Sequence, residues 1–130
     1  DFVYKASKDG YIILFEEHFK RNYIHIRDVC RGFIHSIDNF DAMKSNVYNM
    51  GLSDANLSKL ELCNKIKEYI NNFTINVSEI GEDIDKRNYI VSNKKIENTG
   101  FLPKYSIDDG IIELIKLFSY YSENRYSRNI

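Results

Sequence analysis

The residues best equipped for chemistry stand near the start of the chain: Tyr4 and Lys8 in "YKASK". The Tyr-x-x-x-Lys spacing serves enzymes in which a tyrosinate is acid or base and the lysine lowers its pKa. Such chemistry needs a nucleotide cofactor alongside. The cofactor in turn needs a Gly-rich turn between a strand and a helix, because only glycine lets the backbone approach a pyrophosphate. The six glycines, Gly10, Gly32, Gly51, Gly81, Gly100 and Gly110, are nowhere closer than ten residues apart. They spell neither G-x-G-x-x-G nor a P-loop. A catalytic pair of this kind also lies within a long helix, with the dinucleotide fold ahead of it, whereas Gly10 follows Lys8 by two residues. The spacing therefore reads as coincidence. Tyr4 is expected to be a packing residue and Lys5 and Lys8 solvated helix charges, and no catalytic residue is assigned.

Other chemistries find less support. His18, His25 and His35 lack an H-x-x-x-H or paired-Cys spacing, so no metal site is expected. Cys30 and Cys63 each sit beside apolar residues in a helix-like pattern. They read as two buried, reduced thiols of a cytoplasmic protein, with a disulfide between them left open. The net charge of −1 gives no electrostatic reason to expect nucleic acid or an anionic membrane as partner. No apolar run approaches the roughly 18 residues of a membrane span, and no signal peptide is visible. The 130 residues suggest one domain over 1–121, followed by a polar tail, 122–130, expected to be mobile. The chain opens on Asp1 rather than Met, as a fragment, a processed product or a tag-cleaved one would.

Periodicity outlines the elements that position these side chains. Residues 2–8 are weakly helical. "YIILF", 11–15, is a continuous apolar run and predicts a buried strand. "NYIHI", 22–26, alternates and predicts a second strand, with His25 a satisfied imidazole on it. Asp28 is the expected N-cap of an amphipathic helix whose stripe is Val29, Cys30, Phe33, Ile34, Ile37 and Phe40. That stripe must dock on a sheet or another helix. "NVYNMG", 46–51, predicts a short strand. Ser58 and Glu61 form a capping-box pair ahead of a helix carrying Leu60, Cys63, Ile66 and Ile70. "FTINVSEI", 73–80, predicts a strand, "GEDIDKR" a charged loop, and "NYIV" a brief strand. Ser92 or Asn93 caps a short helix ending at Gly100. After Pro103, Ser106 and Asp109 form a second capping-box pair ahead of a helix with Ile111, Ile112, Leu114, Ile115 and Phe118.

"RNYIHIRDVCRGFIHSID", 21–38, resembles the R-x-Y-[IV]-H-V-x-D-[VL] signature of extended short-chain dehydrogenases, the NAD-dependent sugar-nucleotide epimerases and dehydratases. Later features follow in that family's order. "VYNMG", 47–51, resembles its x-Y-N-[LV]-G segment. "NLSKLELCNKI", 56–66, resembles its s-x-x-E-L helix. "DKRNYIVSNKKIENTGFLPKYSIDDGIIELI", 85–115, is similar to its closing run. The resemblance extends from about Phe2 to about Phe118. It departs where the family commonly has Asp and this chain has Ser92 or Asn93.

The resemblance implies an α+β domain of about four helices with short strands: the carboxy-terminal, substrate-binding part of such an enzyme, without its Rossmann half. In the family, the absent part carries the NAD fingerprint and the catalytic residues. This chain would bind no cofactor itself, and NAD would belong to the full-length parent. Arg21 matches the arginine that grips the diphosphate, a guanidinium being a planar fork for phosphate oxygens. Phe15 aligns with a strand that meets the nucleobase, and Asp85 and Arg87 with polar contacts to ribose or phosphate. As a residue alone, Arg21 reads as a solvated side chain beside Lys20; Phe15 is equally a core residue, and Asp85 and Arg87 also read as part of a solvated loop. The implied partners are a nucleotide-diphosphate sugar, the amino-terminal Rossmann domain, and a second copy of the chain through exposed apolar surface. The alternative is a stand-alone nucleotide- or protein-binding module without catalysis.

Overall fold

A computed structural model describes residues 1–121. The tail expected at 122–130 lies outside the described residues. Among the described residues, four helices of seven or more residues carry the fold: α1 (Phe2–Lys8), α2 (Ile26–Asp38), α4 (Lys59–Lys67) and α6 (Ile107–Tyr120). Single-turn helices α3 (Phe40–Met43) and α5 (Lys94–Glu97) accompany them. Strands β1 (Tyr11–Phe15) and β4 (Thr74–Ser78) pair in parallel, with Ile12 opposite Ile75 and Leu14 opposite Val77. A parallel pair needs a long crossover, and α4 lies within it. Strands β2 (Lys20–Asn22) and β3 (Asn56–Ser58) pair antiparallel, with Arg21 opposite Leu57. This is the mixed α/β arrangement expected from the sequence.

The core gathers Val3 and Ala6 of α1, Ile12 and Leu14 of β1, Leu62, Cys63 and Ile66 of α4, Phe73, and Ile111 of α6. Tyr4 packs edge-on against Phe118, ring centroids 5.2 Å apart, which is the packing role expected of it. A smaller cluster of Met43, Ile96 and Phe101 lies under Tyr48 and Met50. Both capping boxes form. Ser58 Oγ accepts the Glu61 N–H at 3.1 Å, and Glu61 accepts the Ser58 N–H at 2.6 Å. Ser106 and Asp109 do the same at 3.1 and 2.8 Å. Each cap stabilises its helix by about 1 kcal/mol.

Several expectations are corrected. The run at 11–15 is only half buried: Ile12 and Leu14 point inward while Tyr11 and Ile13 face outward, because a two-stranded sheet has one covered face. The strand expected at 22–26 covers only 20–22. Past Asn22 the facing chain leaves β3, and Tyr23 instead exchanges backbone hydrogen bonds with Ala55 and Leu52. Among the described residues the segments expected as strands at 46–51 and 88–91 find no strand partner; side chains, and for Tyr89 the Lys20 carbonyl, hold them. Lys95 donates to the Val47 carbonyl, and the Asn56 amide brackets both the N–H and the C=O of Val91. Cys30 is exposed, whereas Cys63 is buried as expected; both thiols are free.

The largest correction concerns α2. His25, not Asp28, is its N-cap: the imidazole Nδ1 accepts the Arg27 N–H at 3.1 Å. Asp28 turns inward and is fully buried with Gly32. The helix therefore packs by a small, polar face. A Cβ on Gly32 would lie 2.3 Å from the Met50 sulfur, so the Met50 side chain packs directly on the glycine. Most of the apolar stripe expected to dock remains in solvent: Cys30, Phe33, Ile34, Ile37 and Phe40 are exposed, and Val29 is half-buried.

Candidate anion-binding site

Strand β2 sets Arg21 on the sheet edge nearest the charged segment 79–91, which wraps across β2 and the end of β1. Lys20 fixes the far end of that segment. Its N–H donates to Asn88 Oδ1 at 2.9 Å, and its carbonyl accepts the Tyr89 N–H at 3.3 Å. The near end is fixed by Lys59, whose buried ammonium donates to the Phe15 carbonyl at 2.6 Å and to the Asp83 carboxylate. The bond from Lys59 holds the Asp83 carboxyl below the usual carboxylate range. Gly81, at φ +113°, sits directly on the Phe15 ring: a Cβ there would lie 2.6 Å from a ring carbon.

Between these two fixtures lies the charged cluster. Arg21 Nη2 donates to the Asp85 carbonyl at 3.0 Å and meets Asp85 Oδ1 at 3.1 Å. Arg21 Nη1 donates to the Lys20 carbonyl at 2.9 Å, and its guanidinium lies over the Tyr89 ring, 5.4 Å from the centroid. Arg87 grips the same carboxylate with a fork, Nε to Oδ1 at 2.7 Å and Nη2 to Oδ2 at 2.6 Å. The bonds from Arg87, and then those from Arg21, hold the Asp85 carboxyl well below its ordinary range. Arg21 is mostly covered, with a side-chain exposure of 15%, while Arg87 is 70% exposed. The two guanidinium groups and the one carboxylate sum to a single positive charge, on a segment that also carries Glu79, Glu82 and Asp83.

Three of the four residues picked from the sequence thus touch one another. Phe15 stands apart from them: it contacts Gly81 and, through Lys59, the Asp83 end of the same segment. Lys59 and Tyr89 went unnoticed at the sequence level. The pattern S-K-L-E reads Lys59 as the first residue of a helix, and nothing local reveals its partner 24 residues on.

A second feature was also missed. An open groove of about 860 Å³ runs between the start of α2 and α6. Its polar side holds His25, stacked on Tyr105 with centroids 4.6 Å apart, and Glu113. Glu113 meets His25 Nε2 at 3.4 Å and Arg27 at 3.0 Å. Its apolar side is Ile112, Leu117 and Tyr120 of α6. Among the described residues no group of three His, Cys, Asp or Glu is placed to hold a metal, and no helix is long and apolar enough to cross a membrane.

No family model matches the sequence. Solved structures do match. L-threonine dehydrogenase from Clostridium difficile is 19% identical, with a TM-score of 0.73 over 92% of this chain and 39% of that one. ADP-L-glycero-D-manno-heptose-6-epimerase from Helicobacter pylori is 23% identical, with a TM-score of 0.69 over 92% of this chain and 36% of that one. UDP-N-acetylglucosamine 4-epimerase from Bacillus cereus is 20% identical, with a TM-score of 0.67 over 90% of this chain and 41% of that one. The likeness is one of fold alone, shared with part of each of these dehydrogenase and epimerase chains. The chain spans about two-fifths of the length of the proteins it matches.

Proposed function

We propose that this chain is the substrate-binding part of an NAD-dependent sugar-nucleotide epimerase or dehydratase. Arg21 and Arg87 would hold the diphosphate, and Asp85 would orient both guanidinium groups and offer an acceptor to a ribose hydroxyl. Phe15 would pack near the nucleobase. The observation that carries this reading is the convergence of Arg21 with Asp85 and Arg87, a pair that begins 64 residues further along the chain, on one supported patch. The fork of donors matches phosphate oxygens.

The residues of this chain do not fit the dinucleotide itself. The pyrophosphate of a dinucleotide is held at a glycine-lined strand-to-helix turn. The N-termini of α2, α4 and α6 are occupied by their own caps, His25, Ser58 and Ser106. NAD would therefore be held by other polypeptide. The exposed stripe of α2 is the surface we assign to that contact, since contiguous apolar patches mark interaction sites.

A second reading is favoured by the likeness to a threonine dehydrogenase, whose named substrate carries no phosphate. Calorimetry with UDP, dTDP, GDP and CDP separates the two. The proposal expects binding of at least one nucleoside diphosphate, weakened about tenfold or more by Arg21→Ala. No binding by any of the four, or affinity unaffected by R21A, would favour the second reading.

A further inference from the structure

The anion seat described above is already filled from within the chain. The Asp85 carboxylate receives Arg87 through both oxygens, at 2.7 and 2.6 Å, and Arg21 at 3.1 Å. This is the fork geometry that a phosphate would take. An anion cannot engage the same donors while the carboxylate keeps them. We propose that Asp85 is an internal latch: its carboxylate stands in for the diphosphate, holds the two guanidinium groups in place without ligand, and must swing out for ligand to enter. This rests on the reading of Arg21 and Arg87 as diphosphate ligands.

The fold lets the side chain move without moving the segment that bears it. Two residues earlier, Asp83 is tied to buried Lys59, whose side chain is 9% exposed. Three and four residues later, Asn88 and Tyr89 are tied to the backbone of Lys20. Asp85 lies between these anchors with 41% of its side chain exposed, so rotation delivers the carboxylate to water. Arg21 keeps its bond to the Asp85 main-chain carbonyl at 3.0 Å, which does not depend on the carboxylate. Donors held ready in this way need less ordering when ligand arrives. Competition with an attached carboxylate also discriminates: a highly charged diphosphate displaces it more readily than a singly charged anion.

Inorganic pyrophosphate is the right probe, because it lacks the ribose that Asp85 would also touch. Calorimetry on the 130-residue chain compares wild type, Asp85→Asn, Glu82→Gln and Arg21→Ala. The latch predicts about tenfold tighter pyrophosphate binding by D85N. E82Q removes an equal charge from the same segment and should stay within about twofold of wild type. Should D85N fail to fold, Asp85→Ser carries the same expectation. Equal or weaker binding by D85N, with binding still lost in R21A, overturns the latch and spares the seat. An equal gain in E82Q also overturns it, since net charge alone would explain both. Absence of binding in wild type and D85N alike, or indifference to R21A, overturns the seat and the latch with it.

Discussion

The carboxylate of Asp28 accepts the backbone N–H of Tyr105, 77 residues away, at 2.9 Å. It also accepts the N–H of Lys104, at 3.0 and 2.9 Å, and a bond from Arg31. One fully buried side chain thereby pins the start of α2 to the turn that leads into α6. Asp28→Asn keeps the shape but loses acceptor capacity, and should destabilise the fold by about 2–3 kcal/mol.

The same residue gives a pH signature. Burial pushes the Asp28 carboxyl up, but the Tyr105 and Lys104 N–H groups and Arg31 outweigh it, and the net shift is downward. A folded-state pKa below the unfolded value of about 3.9 means stability that is present above that pH. It is lost as pH falls through the folded value. Thermal melts from pH 7 down to about 2.5 should show D28N below wild type at neutral pH, with the gap closing under about pH 4. A gap independent of pH would contradict the assignment.

Cysteine labelling reads the corrected burial of α2. Burial raises the Cys63 thiol to about 12, so at pH 8 almost no thiolate is present and the sulfur is inaccessible. Cys30 is exposed. Native protein should react with a thiol reagent once quickly, and a second time only on denaturation. Two fast thiols, or none, would be incompatible with this packing.

The α2 stripe should make the isolated chain self-associate. Ile37 is 73% and Phe33 64% exposed. Replacing both with Glu should shift sedimentation toward monomer with a melting temperature within about 2 °C of wild type, because neither side chain packs on the core. A collapse of the melting temperature would place the stripe inside the fold instead.

Gly81 couples Phe15 to the charged segment. Alanine there would carry a strained φ of +113° and push on the Phe15 ring. Gly81→Ala should cost about 1–3 kcal/mol in urea melts. It should also weaken nucleoside diphosphate binding, by loosening the segment that carries Asp85 and Arg87. Unchanged stability would mean the ring and the loop move freely past each other.

How far the sequence disclosed this molecule depended on the range of each interaction. Ser58 with Glu61 and Ser106 with Asp109 were legible because a capping box closes within four residues. The strands at 11–15 and 74–78 were legible from an apolar run and from alternation, although in β4 Ile75 is only half-buried and Val77 is exposed. The three-residue, polar strand β3 gave no such signal. The false strands at 46–51 and 88–91 had suitable residues but no partner edge. For α2, the apolar period was read correctly and its orientation was not: periodicity says that a stripe wants covering, not which surface this chain supplies. At the candidate site, Arg21, Asp85 and Arg87 were picked out by a family pattern. Lys59 and Tyr89 acquire their roles only when the segment 79–91 folds back over β2.

The central claim is that Arg21 and Arg87 form a seat for a diphosphate. Side-chain ¹⁵N NMR of the arginine Nε–Hε groups during a UDP titration tests it most directly. The account predicts saturable shifts of the Arg21 and Arg87 resonances, together with amides of residues 79–91. Shifts confined to Arg27 and the groove between α2 and α6, or an arginine spectrum unchanged at saturating UDP, would contradict it.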